Sequence, residues 1–164
     1  MTLEEKVKLA QDPSTSAEVL EKLSEDEDCK VRWRVAESPN TSSLVLEKLS
    51  RDESWVVRWR VAENPNTPSL VLDKLGEDED ECCRSSVTKN PKVSIALLER
   101  LSRDENRDIR ISAGQNPKNF RVREMVKVSL KNNLHINYVN TSGLDVGWLW
   151  DWEVDFFKIN RKED

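Results

Sequence analysis

VRWRVAESPN at residues 31–40 returns 26 positions later as VRWRVAENPN at residues 57–66. The step between the two copies organises most of the chain. Prolines stand at Pro13, Pro39, Pro65, Pro91 and Pro117, every interval being 26, and only Pro68 falls outside this ladder. Leucines keep the step at Leu20, Leu46, Leu72 and Leu98, and again at Leu23, Leu49, Leu75 and Leu101. So do Arg32, Arg58, Arg84 and Arg110, and Asp26, Asp52, Asp78 and Asp104. A fixed period between about 20 and 50 residues is the mark of an array of stacked units.

Each unit divides in two. The first half reads SSLVLEKLS or PSLVLDKLG, with Val45, Leu46 and Leu49 on one side at helical spacing. Thr15, Thr41, Thr67 and Ser94 stand where a hydroxyl caps a helix start, and Pro68 suits a first turn. The second half reads ESWVVRWRVAEN. On a helical wheel Val57, Arg58, Val61 and Ala62 form its buried sector, Trp59 and Arg60 lie on opposite shoulders, and Glu63 points away. The following proline ends this helix, and Asn64, Asn90 and Asn116 before the prolines suit a turn. Neither helix can bury its apolar side alone, but stacked copies can. The expected fold is all-α: an α-solenoid of about four 26-residue two-helix repeats. LEEKVKLAQDP matches only a second half, with Lys6 at the arginine position, and reads as the N-terminal cap.

The stretch VRWRVAENPNTPSLVLDKL, with its upstream aspartate, resembles the leucine-rich repeat variant family of bacterial proteins and, more broadly, HEAT-like repeats. The resemblance covers about residues 5–120. It implies a right-handed superhelix in which α-helices alternate with short helices. Some members of that family hold iron and sulfur through an N-terminal cysteine cluster. This chain has no such cluster, so no cofactor is expected.

Composition bounds the function. Of 164 residues, 35% are charged and 37% apolar, a balance that suits a thin, elongated protein. The net charge of −5 argues against non-specific binding to nucleic acid or anionic membranes. No stretch approaches the about 18–20 apolar residues of a membrane span, and the start lacks a signal-peptide run. A cytoplasmic location is expected. Cys29, Cys82 and Cys83 form no CxxC pair and read as reduced thiols. With a single histidine, His135, no metal site is expected.

The aspartate and arginine ladders read as scaffold. Each aspartate precedes its arginine by six residues and sits in the inter-helix turn, where it can cap the second helix. A charge-assisted pair there would tie one helix to the next unit. The runs EDEDC from Glu25 and GEDEDE from Gly76 read as solvated turns. Function is sought where units differ. The position after the ladder arginine reads Trp33, Trp59, Ser85 and Ile111, and the next reads Arg34, Arg60, Ser86 and Ser112. Trp55 lies one turn before Trp59. Trp33, Arg34, Trp55, Trp59 and Arg60 are therefore candidate partner-binding residues, with seam packing between repeats as the competing reading.

The period fails after Pro117. FRVREMVKVSLKNN reads as a further helix, closing a repeat region over residues 1–130. Within residues 131–164, positions 134–139 and 148–156 alternate with a period of two on either side of the turn-rich NTSGLDVG, and Trp148, Trp150 and Trp152 share one row. This reads as a β-hairpin-like segment that caps the array or docks a partner.

No catalytic constellation is recognisable. The leading reading is a non-enzymatic scaffold or adaptor for another protein; the sequence sets neither the partner nor the oligomeric state. An enzyme accessory, like the helical-repeat chromophore lyases whose short repeats it resembles, is an alternative. Nucleic-acid binding through the Trp/Arg patch is another.

Overall fold

A computed structural model describes residues 1–119 of the chain. The boundary drawn at residue 130, the helix expected after Pro117, the hairpin-like segment and Trp148, Trp150 and Trp152 lie outside the described residues.

Within 1–119 every element is helical. Nine-residue helices α1 (Leu3–Gln11), α3 (Cys29–Glu37), α5 (Trp55–Glu63), α7 (Glu81–Lys89) and α9 (Arg107–Gln115) alternate with seven-residue helices α2 (Ala17–Leu23), α4 (Ser43–Leu49), α6 (Ser69–Leu75) and α8 (Ile95–Leu101). Both series start every 26 residues, so the proline period is also the helix period. Each nine-residue helix packs side by side on the next, α1 on α3 through to α9, and the short helices bridge consecutive long ones. The core is the set of positions the period marks. Val31, Val35, Val57, Val61, Leu20, Leu46, Leu72 and Leu98 are fully buried. In α1 the Val31 register holds Glu5, which is exposed and closes a capping box with Thr2, so the outward side of this first helix is polar.

The capping pattern differs from the sequence expectation in a consistent way. The short helices are preceded by Ser16, Ser42, Pro68 and Ser94, of which Ser42 and Ser94 accept from the third helical N–H. Thr15, Thr41 and Thr67 sit one position earlier. Their hydroxyls reach back to the carbonyls of Leu9, Val35 and Val61 at 2.6, 2.5 and 2.6 Å. A threonine hydroxyl can donate as well as accept, and here it adds a second donor to a carbonyl at the end of the long helix that already accepts from the C-cap N–H. Pro68 is itself the N-cap rather than a first-turn residue. The ladder aspartates likewise stand two residues before the true N-caps Asp28, Ser54, Asp80 and Asn106. Their Oδ1 atoms accept from the N–H of those cap residues and shape the turn.

Two hydrogen-bonded seams join the units. On one edge the Nδ2 of Asn64 donates to the carbonyls of Ala36 and Ser38, and that of Asn90 to Ala62 and Asn64, both in the preceding unit. Asn116 donates to Thr88 in the same way. Asn64 and Asn90 are 3% and 2% exposed, so these asparagines do more than form a turn: they clamp consecutive prolyl loops together. On the other edge runs the arginine ladder. Arg32, Arg58 and Arg84 each send Nε and Nη2 to the carboxylate of Asp52, Asp78 and Asp104 in the following unit, at 2.7–3.1 Å. Their Nη1 donates to two backbone carbonyls of their own turn. Lys6 takes the first rung, 2.6 Å from Asp26. The aspartate six residues before each arginine thus contributes its carbonyl; the carboxylate partner lies twenty residues ahead.

One unit departs from the pattern by an exchange of volume. The short helices end at Ser24, Ser50, Gly76 and Ser102, and the serines donate to carbonyls three residues back. A Cβ added at Gly76 would stand 2.6 Å from Leu97 Cδ1. Leu97 occupies the register of Val19, Val45 and Val71, so the larger leucine and the missing side chain compensate. Arg100 Nη2 takes the carbonyl of Asp73 that a serine hydroxyl would have filled, at 2.8 Å. Gly76→Ser should cost about 1–3 kcal/mol in urea unfolding, since overpacking forces its neighbours aside. Adding Leu97→Val should recover most of that loss. Additive losses in the double variant would show that the two positions are not coupled.

Candidate interaction surface

The half-buried row of α3 and α5, which meets the buried Ser86 of α7, is built from positions that vary between units. Arg58, Val57, Val61 and Ala62 turn inward and are buried, which leaves Trp59 and Arg60 half-buried beside them. The two were expected on opposite shoulders of the helix. Instead the Arg60 side chain folds back, placing its guanidinium carbon 4.2 Å from the Trp59 ring centre and 5.1 Å from that of Trp33 in the unit before. Arg34 lies over the other tryptophan at 3.9 Å. A guanidinium is planar and weakly hydrated, so it stacks on indole at little desolvation cost.

The rings also connect the units. Trp33 packs against the core. Trp59 Nε1 donates to Ser86 Oγ at 2.7 Å, and Ser86 stands in the Arg60 register of the following unit. The same rule therefore operates twice: a tryptophan meets the residue 27 positions ahead, through a π face at Trp33–Arg60 and through its N–H at Trp59–Ser86. In the next step a hydroxyl pair, Thr88 with Ser112, replaces the indole contact.

The charges in this row are already matched. Arg34 Nη1 is 2.8 Å from Glu37, and Arg60 Nη1 is 2.9 Å from Glu63 and 3.5 Å from Glu37. Both arginines thus have carboxylate partners and lie over indole faces. What remains open is Trp55. It begins α5, is 45% exposed, and lies 6.3 Å from Trp59 between ring centres with a 33° tilt. Of the five candidates, Trp33, Arg34, Trp59 and Arg60 form one stacked seam, and Trp55 extends it into solvent.

Cys83 takes the buried valine register in α7, and its Sγ lies 3.5 Å from the Trp55 carbonyl. Burial, with Asp78 and Asp80 nearby, pushes this thiol far above the usual range, which makes it a small apolar filler and a poor nucleophile. Cys29 and Cys82 are exposed and free.

One row escaped the sequence reading. Glu27, Glu53, Glu79 and Glu105 follow the ladder aspartates at the same 26-residue step, and only Glu27 and Glu79 fall within the runs read as solvated turns. The signal for it is the same 26-residue recurrence that marks the adjoining aspartates.

No family model, curated protein or solved structure matches this chain. Among the described residues no helix is long and apolar enough to cross a membrane.

The seam and the open ring make different predictions. Trp59→Ala removes stacked area and the bond to Ser86, and should lower unfolding free energy by about 2 kcal/mol. Trp55→Ala should change it by less than about 0.5 kcal/mol, as at ordinary surface positions. Equal effects in thermal or urea melts would contradict this division.

Proposed function

We propose that the chain is a cytoplasmic, non-enzymatic adaptor that presents the α3–α5–α7 face of a repeat array to another protein. In this reading the array is a right-handed α-solenoid of about four two-helix repeats, of the leucine-rich repeat variant type. The recurrence of both helix series every 26 residues supports the repeat architecture. The free thiols suit a reducing compartment.

The observation that carries the reading is how polar groups are used. Residues that recur bind other repeats: Arg32, Arg58 and Arg84 to aspartates, Asn64 and Asn90 to carbonyls. The varying Trp33, Arg34, Trp59 and Arg60 stack together on α3 and α5, and the exposed Trp55 adjoins them. Tryptophan beside arginine is the commonest anchor chemistry of protein interfaces. Nucleic acid is the weaker candidate for this face. It requires cations free for phosphate and rings free for bases, and here Glu37 and Glu63 hold the cations, which in turn cover ring faces.

Affinity capture with the full chain and its Trp55→Ala variant, read by mass spectrometry, tests the proposal. A partner enriched by the parent chain should be lost with Trp55→Ala while the melting temperature stays put. An enriched set that ignores the substitution, or recovery of nucleic acid in place of protein, would contradict it.

A further inference from the structure

Three tryptophan rings share two guanidiniums along α3 and α5. Arg34 lies over Trp33 at 3.9 Å, and Arg60 lies over both Trp59 at 4.2 Å and Trp33 at 5.1 Å. Trp33 thus takes one guanidinium from the next residue and a second from the position 27 ahead. For Trp59 the position 27 ahead is Ser86, which carries no charge. Its hydroxyl accepts from the indole N–H, and that N–H lies in the plane of the ring. The serine therefore meets the rim of Trp59 and places no cation over a face. Among the described residues no cation lies over Trp55. The row is one guanidinium short.

The shortfall lies where the row is open to solvent. Trp55 is 45% exposed, and its register holds Leu3, Cys29, Glu81 and Arg107 in the other units. Its ring centre stands 6.3 Å from that of Trp59 with a 33° tilt, so the two rings diverge and do not stack flush. One guanidinium suits this pair. The 6.3 Å separation is less than the sum of the two distances that Arg60 keeps from its own rings, so a single carbon can stand at those distances from both. An indole face is the negative side of the ring's quadrupole, which attracts a cation and repels a carboxylate or phosphate. Among cations, guanidinium is planar and weakly hydrated, and it is the group that Trp33 and Trp59 already hold.

We infer that the Trp55–Trp59 pair receives an arginine side chain of the partner protein, which continues the run of stacked guanidiniums one place beyond Arg60. The inference rests on the adaptor reading and names the group by which the partner is held. The chain's own usage selects the occupant, since the cation over each neighbouring ring is a guanidinium. An aliphatic side chain would also bury area against Trp55, and the test separates it from arginine.

The test uses the full chain labelled with nitrogen-15 and follows the tryptophan indole N–H signals by NMR, assigned through single substitutions. The probes are N-acetyl-arginine amide, its uncharged isostere N-acetyl-citrulline amide, and N-acetyl-leucine amide. Each is titrated to about 100 mM, the weak range of a single cation–π contact. Arginine should shift the Trp55 and Trp59 signals along a saturable curve and leave that of Trp33, already under two guanidiniums, in place. Citrulline and leucine should bind at least about fivefold more weakly, the loss expected when such a contact is stripped of its charge. Trp55→Leu should abolish the saturable shift at Trp59. Equal responses to citrulline or leucine would overturn the inference. So would an unchanged Trp59 response in Trp55→Leu, a shift at Trp33 as large as that at Trp55, or no saturable shift with arginine. If capture of a partner still depends on Trp55 in that event, the adaptor reading stands and only the arginine falls.

Discussion

A buried guanidinium has five N–H donors in one plane and no acceptor, so it must be surrounded by oxygens in fixed directions. The ladder arginines meet that demand by drawing on two units at once. Arg58, 9% exposed, takes two carbonyls from its own turn and both carboxylate oxygens of the next unit's aspartate. Each arginine thereby fixes the distance and register between consecutive turns. The aspartate is equally committed, since Asp78 also accepts from the Asp80 N–H that starts the next long helix. Burial alone would push the Asp78 carboxyl up. The Arg58 fork and the Asp80 N–H outweigh it and hold the group below the usual carboxylate range, and Asp104 is held down in the same way by Arg84 and Asn106. Removing one member of such a pair leaves the other charged, buried and alone, which costs more than the pair contributes.

The rest of the fold is arranged around that edge. Valines and leucines at the repeated positions fill the space between the long and short helices. The asparagine amides close the opposite edge by binding carbonyls of the preceding unit. With both edges fixed, the middle positions of the long helices are free to vary. Two units use that freedom for stacked tryptophan and arginine, and the following units use hydroxyls. The Gly76–Leu97 exchange shows the same tolerance inside the core, where volume moves from one side chain to its neighbour while the backbone keeps its period.

Much of this was legible in the sequence because a period needs no knowledge of distance. Helix identity, helix spacing and the buried sector of α5 all follow from positions that recur or fall on one side of a wheel. What was not legible depends on reach. Arg32 and Asp26 are close in sequence, yet the Arg32 fork lands on Asp52, because a long side chain at a helix start points toward the next turn. Thr41 looked like a cap and instead donates backward, since spacing does not tell donor from acceptor. Arg60 belonged on another shoulder from Trp59 until its flexible stem is followed back over the ring. The Glu27–Glu105 row was hidden for a simpler reason: acidic residues in a turn look like solubility until their register is checked.

If the cross-unit rung is what holds the stack, its energy must lie between Arg58 and Asp78 and not between Arg58 and Asp52, whose carboxylate serves Arg32. Two double-mutant cycles in urea unfolding decide this, pairing Arg58→Ala with Asp78→Ala and with Asp52→Ala. The account predicts a coupling of about 2 kcal/mol or more for the first pair and under about 0.5 kcal/mol for the second. Coupling concentrated in the Arg58–Asp52 pair, or absent from both, would contradict it.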